Sequence, residues 1–237
     1  MTCPNCTAVM TSMSLEGHHG REVHVDVCGT CQTIWFDGYE SLQLSANSVL
    51  KLFKLISESG SRVRGVIGPS AECPRCEAVL RTVKDIQRTT RFEYRACPQR
   101  HGRLISFFNF LREKDFIRPM TPAQIDDLRK NVRAVNCSNC GAPVDLAKGT
   151  NCAHCGSPLS MLDMRQAEKL VAALQAAGDR PQPVDRAALP LDLARARRDT
   201  SGRFERMNHA NGWLNVTEGA DLVTSAVSFL AGVLSDN

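Results

Sequence analysis

The stretch YRACPQRHGRL, residues 94–104, decides how this chain is read, because it offers one cysteine where the earlier segment VDVCGTCQTIW, residues 25–35, offers two. In the earlier segment Cys28 and Cys31 make a Cys-x2-Cys pair, and in the later one Cys97 is followed by His101 in a Cys-x3-His spacing. Either His101 is the fourth ligand of a metal site, or Cys97 is a leftover buried thiol and His101 a surface side chain. Both segments lie downstream of another pair, Cys3/Cys6 for the first and Cys73/Cys76 for the second, across intervals of twenty-one and twenty residues. The approach FEYRAC matches the approach VHVDVC. The two segments therefore read as diverged copies of one module, and two cysteines alone cannot complete a tetrahedral structural site, which favours His101 as a ligand.

Site one is then Cys3, Cys6, Cys28 and Cys31, and site two Cys73, Cys76, Cys97 and His101. Each interval is long enough for a hairpin that carries the second half of the ligand set back to the first. In REVHVDV, Val23, Val25 and Val27 alternate with Glu22, His24 and Asp26, as a half-buried returning strand requires. A third site follows in CSNCGAPVDLAKGTNCAHCGSPL, where Cys137, Cys140, Cys152 and Cys155 are spaced Cys-x2-Cys-x11-Cys-x2-Cys. Gly141 and Gly156 follow its two pairs and can take the positive-φ turn that points backbone amides at thiolates. His154 falls between ligands and is read as exposed, His24 as outward-facing, His209 as part of a turn, and His18 and His19 as a solvated hairpin tip.

The remaining composition agrees with small metal-stapled modules. Of 237 residues 43% are apolar but only 5% aromatic, little material for one large core, while ten of eleven cysteines form Cys-x-x-Cys pairs. No signal-like segment opens the chain, and the apolar run from Ser225 to Leu234 falls short of the roughly 20 residues that cross a bilayer. A cytoplasmic setting is the expectation, in which paired cysteines read as metal ligands rather than disulfides. The formal net charge of +4 falls to roughly −1 once the cysteines of three filled zinc sites are counted as thiolates. Global basicity then carries no case for a polyanion partner.

Catalysis finds no foothold. Four protein ligands leave an ion no open position, and the chain has no HExxH, GxxxxGK[ST], GxSxG or GxGxxG motif. The expectation is a chain that is not an enzyme.

CPNC, the strand ending in VDVC, and CGTCQTIWFDGYE together resemble the transcription factor IIB type of zinc ribbon found in small bacterial proteins. The resemblance covers about residues 1–45 and implies one zinc ion on Cys3, Cys6, Cys28 and Cys31, with Trp35, Asp37 and Glu40 leading into a helix. Residues 71–104 resemble the same ribbon more loosely, with His101 replacing the last cysteine and no counterpart of the tryptophan and acid. Residues 137–155 resemble a generic short zinc ribbon.

The expected fold is a small α+β protein of three zinc ribbons, each a short antiparallel hairpin, joined by helices and ending in a helical segment. The division is ribbon one at 1–36, a connecting helix at 37–60, ribbon two at 71–104, connecting helices at 105–133 and ribbon three at 134–159. A helix at 160–178, a Pro/Arg-rich linker at 179–218 and a C-terminal interaction helix at 219–237 complete it. Leu42, Val49, Leu50, Leu52, Phe53, Leu55 and Ile56 make the first helix too apolar to stand alone. It must pack on its own ribbon, on LISFFNFLREKDF after ribbon two, or on a second subunit. TPAQIDDLRKNV starts a helix with Thr121 as cap, Pro122 in its first turn, Gln124 three beyond the cap, and Ile125, Leu128 and Val132 as apolar stripe. Met164, Ala167, Leu170, Val171 and Leu174 mark the next helix, and Leu222, Val223, Val227, Leu230 and Val233 the last, which lacks the Lys or Arg of a lipid-surface helix.

Two functions compete. Three structural Zn2+ ions holding apolar helices suit a protein-interaction scaffold or adaptor, or self-association. The alternative is a nucleic-acid-binding or transcription-associated factor. It would use the basic ribbon-two residues Arg81, Lys84, Arg88, Arg91, Arg95, Arg100 and Arg103, opposed by Asp85 and Glu93, and to a lesser degree the arginine-rich 195–206 stretch. Phe92 and Tyr94 share a strand parity and serve either as base-stacking partners or as cover for the ribbon core.

Overall fold

The computed structural model describes residues 1–17, 21–38, 40–58, 66–87, 90–163, 169, 219–223 and 226. His18 and His19, Arg88, the 179–218 linker, and most of the helices expected at 160–178 and 219–237 lie outside the described residues. Among the described residues no helix is long and apolar enough to cross a membrane.

Alternation of valine with polar residues makes strand β2 (Glu22–Cys28) amphipathic. It buries Val23, Val25 and Val27 on one face and leaves Glu22 and His24 in solvent. It is the middle strand of ribbon one, between β1 (Thr11–Glu16) and β3 (Thr33–Phe36), all antiparallel. Ribbon two repeats the pattern with β4 (Arg81–Gln87), β5 (Thr90–Ala96) and β6 (Arg103–Ser106). The two ribbons are not separate beads. Their third strands pair with each other, giving one six-stranded sheet of order β1-β2-β3-β6-β5-β4.

The seam is self-complementary. Thr33 faces Ser106, Ile34 faces Ile105, Trp35 faces Leu104 and Phe36 faces Arg103. The offset that carries Cys3 onto Cys73 and Cys31 onto His101 also carries Thr33–Phe36 onto Arg103–Ser106. Each residue therefore pairs with the counterpart of its mirror position, and an approximate two-fold axis passes through the seam.

Strand parity gives the sheet two distinct faces. Val23, Val25, Ile34, Phe36, Ile105 and Phe92 point to one side, where α1 (Ala46–Glu58) and α2 (Phe107–Glu113) cover them. Phe53 of α1 meets Phe107 and Phe116 edge-on, with ring centroids at 5.7 and 5.1 Å. Of the three places open to the first helix, it packs on its own ribbon and on the segment after ribbon two together. Aromatic scarcity is offset by concentration: Phe36, Phe53, Phe92, Phe107, Phe108, Phe110 and Phe116 share this core, and each such side chain contributes roughly 1.5–3 kcal/mol by burial. Trp35 and Leu104 point to the other side, into a smaller core shared with the cysteines of sites one and two.

A second large core supports ribbon three. Helix α3 (Pro122–Asn131) starts with a full capping box between Thr121 and Gln124 and buries Ile125 and Leu128. It packs against the hairpin β8 (Ala134–Asn136) and β9 (Pro143–Asp145). Two segments tie this core to the first. Strand β10 (Ser160–Leu162), at the head of the stretch read from the sequence as helix, pairs with β7 (Ile117–Pro119) and sends Met161 into one core and Leu162 into the other. Residues 219–223 do the same with Leu222 and Val223. This segment lies along β8, where the Asn136 amide donates to Ala220 O at 2.9 Å and the Ser138 hydroxyl to Asp221 Oδ1 at 3.0 Å. The start of the expected C-terminal interaction helix is thus built into the body of the protein.

Candidate metal centres

The chain turns in the same way at four of the cysteine pairs. At Cys3, Cys73, Cys137 and Cys152 the carbonyl accepts from the amide four residues on, at 2.8–3.0 Å, and the amide donates to the carbonyl five residues on, at 2.8–2.9 Å. The residue after each pair takes positive φ: Gly141 at 75°, Gly156 at 71°, and also Thr7 at 61° and Glu77 at 60°. Two of these turns use glycine, as expected from the sequence. Two hold the same conformation on side chains that disfavour it.

The structure gathers the sequence-assigned donors into three groups of four. Cys3, Cys6, Cys28 and Cys31 form one, Cys73, Cys76, Cys97 and His101 the second, and Cys137, Cys140, Cys152 and Cys155 the third, with all ligand atoms of a group within 4.8 Å of one another. Contacting sulfurs lie 3.5 Å apart in site one and 3.6 Å in sites two and three. His101 turns Nδ1 to Cys73 and Cys97 at 3.8 and 3.6 Å. Zinc–ligand bonds of about 2.3 Å to sulfur and 2.0–2.1 Å to nitrogen in a tetrahedron put neighbouring donors about 3.5–3.8 Å apart, so these donor sets fit the ion. Disulfides need about 2.05 Å between sulfurs, and all eleven cysteines are free.

The histidine in site two has a geometric origin. Cys3 and Cys31 are separated by 28 positions, and so are Cys73 and His101. The hairpin of ribbon two is one residue shorter and its last ligand turn one residue longer, so β6 still starts in register with β3. Positive φ moves with the extra residue, from Gln32 after Cys31 to Arg100 before His101.

Charge in these sites is held by hydrogen bonds to sulfur. The Asn5 amide donates to Cys3 Sγ at 3.4 Å and the Gln99 amide to Cys97 Sγ at 3.3 Å, and Asn139 Nδ2 lies 3.6 Å from Cys155 Sγ. Thr33, fully buried, sets its hydroxyl 3.2 Å from Cys31 and 3.5 Å from Cys3. The bond shared with Cys31 draws the Cys3 thiol down to about 4 and pushes Cys31 far up. In site two burial lifts Cys73 to about 11, whereas at Cys97 the His101 and Gln99 amides overcome burial and bring the thiol to about 7. Site three repeats this split: burial lifts Cys137 to about 11 and Cys140 further, while Ser157 counters burial at Cys155 and holds it at about 7. Each site thus pairs one thiol held below its ordinary value with at least one raised above it, and a bound divalent cation would displace the remaining protons.

Several other residues singled out from the sequence have clear places among the described residues. Asp37 Oδ1 accepts the Trp35 indole N–H at 2.9 Å and the Arg75 Nε–H at 3.3 Å, and Arg75 Nη2 closes the ion pair on Oδ2. Glu40 Oε2 accepts the Asp37 amide at 2.8 Å, and a short 3-10 turn, Glu40–Gln43, follows. Trp35, Asp37 and Glu40 therefore clamp ribbon one to the ligand turn of ribbon two, a role spacing along one ribbon could not reveal. In the basic set, Lys84 and Arg91 are exposed, Arg95 donates to Ile67 O at 3.2 Å, and Arg103 is partly buried, pairs with Glu113 and lies over the Tyr94 ring at 4.7 Å. Phe92 and Tyr94 face the core side of the sheet, stacked on each other at 6.1 Å. His154 and His24 are exposed.

No protein-family model, curated protein or solved structure matches the chain. What its own residues establish is an α+β fold carrying three Cys/His clusters poised to chelate metal, the character of a zinc-binding module in general.

Proposed function

We propose that the chain is a non-enzymatic protein-interaction scaffold or adaptor, stapled by three structural zinc ions and working in a reducing, cytoplasmic setting. Ribbons one and two are read as a transcription factor IIB type ribbon and its diverged copy. Each ion would be held by the four donors of its cluster, which leaves no coordination position for substrate or activated water. Zinc there supplies folding free energy and a fixed geometry.

One observation favours a protein partner over a nucleic acid: on the sheet face away from α1 and α2 the hairpins carry opposite charge at two equivalent positions, Glu22 and Asp26 against Arg91 and Arg95. Ser14, Glu16, Glu22, His24 and Asp26 on ribbon one correspond to Lys84, Ile86, Arg91, Glu93 and Arg95 on ribbon two. A polyanion drawn to Lys84 and Arg91 would meet Glu16, Glu22 and Asp26 on the same face, and Arg103 is unavailable to it because Glu113 holds it inside. A face with both signs suits a protein surface with the complementary pattern.

Native mass spectrometry of protein made in zinc-supplemented medium should show three zinc ions per chain, and fewer would end this reading. Retention on single-stranded nucleic acid should be weak and change little in Lys84→Glu and Arg91→Glu. Tight, salt-sensitive retention lost in those variants would instead establish the nucleic-acid function.

A further inference from the structure

Resting on the zinc reading above, we infer that ribbons one and two are a single two-metal unit, whose ions are bound and lost together while site three loads on its own.

The two sites have no separate cores. Cys3, Cys28 and Cys31 of the first and Cys73 and Cys97 of the second line one cluster around Trp35 and Leu104, which are buried opposite each other across the β3–β6 seam. The residue after the last ligand of each ribbon touches the other ribbon or the helix that follows it directly. Gln32, after Cys31, accepts the Phe107 amide at 2.8 Å. Gly102, after His101, lies so close to ribbon one that a methyl group there would come within 2.5 Å of Phe36 O and 2.6 Å of the Trp35 ring.

The third residue of each N-terminal ligand pair also reaches across, at equivalent positions. Asn5 Oδ1 accepts the Gly68 amide at 2.8 Å on the segment leading into ribbon two, and Arg75 pairs with Asp37 on the segment leaving ribbon one. Releasing either ion frees a ligand turn that holds the other ribbon, so the second site loses its shape with the first. By thermodynamic reciprocity the coupling acts equally in both directions. The cysteines of site three line a different core, the one under α3, rather than the cluster around Trp35 and Leu104. Arg75 and Asp37 act here as positioning residues. They donate nothing to an ion but hold the turn that does.

The test counts ions per chain by native mass spectrometry on full-length protein made in zinc-supplemented medium. Wild type should hold three, and fewer would sink the zinc reading itself. Given three, His101→Ala and Cys31→Ser should each retain one ion and Cys137→Ser two. Two ions retained by His101→Ala or Cys31→Ser, at wild-type affinity, would overturn the coupling, and none retained would overturn the independence of site three. Arg75→Ala keeps every ligand, so it separates coupling from ligand loss. With a site-three knockout in the background, its one-ion species should rise at least about fivefold as chelator is added, the lower end of usual coupling strengths. An unchanged one-ion population would remove Arg75 from the coupling and overturn its assignment.

Discussion

Arg103 Nη2 donates to Glu113 Oε2 at 2.8 Å in a site where the two side chains are 11% and 3% exposed. The Ser41 hydroxyl donates to the other carboxylate oxygen at 2.8 Å, Lys114 Nζ lies 3.4 Å from it, and the Arg103 guanidinium is stacked over Tyr94 and Phe36. One carboxylate thus compensates two largely but not fully buried cations at the junction of ribbon two, α2 and the turn after ribbon one. Glu113→Ala should destabilise the fold by about 3–5 kcal/mol, because both cations then lack a counter-charge. A urea titration of the zinc-loaded protein reads this as a shift in midpoint, and a shift below about 1 kcal/mol would show that the cations find water instead.

Lys114 gives that cluster a pH signature. Burial lowers its ammonium below the ordinary value, more than the Glu113 carboxylate raises it. The unfolded chain therefore binds the extra proton between the lowered value and the ordinary one near about 10.4, so this group makes stability rise with pH across that window. Lys114→Met should flatten that part of the stability curve, measured by denaturation at a series of alkaline pH values.

Thr7 and Glu77 sit at φ of 61° and 60°, where the equivalent turns of ribbon three use glycine. Replacing either by glycine should stabilise the protein by about 0.5–1 kcal/mol, the left-handed penalty being offset in part by a more flexible unfolded chain. Loss of stability in both variants would mean that the side chains repay their strain.

Gly102→Ala forces a methyl group against Phe36 O and the Trp35 ring. Opening the seam to admit it should cost about 1–3 kcal/mol. Gly149→Ala, where nothing lies within 4 Å of the added carbon, should stay within about 0.5 kcal/mol of wild type and serves as the control.

Leu222 and Val223 fill two cores at once, so the C-terminal segment cannot be removed without consequence. Leu222→Ala should cost about 2–5 kcal/mol. Hydrogen exchange supplies a local check: truncation before residue 219 should speed exchange of the Asn136 amide, which is otherwise held by Ala220 O. Unchanged protection there would show that this segment docks elsewhere in solution.

Much of the candidate site was legible from residue types and spacing, since ligand sets, the alternating valines of β2, and the Thr121–Gln124 cap are local patterns whose geometry follows from the chain between them. His101 could be singled out because a four-ligand ion leaves a gap that Cys97 alone cannot fill. Arg103 misled by the same logic. Composition counts it among solvent-facing cations, but its environment depends on Ser41, 62 positions away, and on a helix that packs over its strand.

By itself the sequence determined which side chains can share an ion, because a hairpin of given length brings its two ends back to one place. Only the tertiary structure decided that two ribbons merge into one sheet, that Asp37 holds Arg75, and that the chain's later segment closes two cores. Those pairings are chosen by burial of Trp35, Leu104, Leu222 and Val223 against surfaces distant in sequence, and apolar attraction has no spacing rule from which a partner can be read.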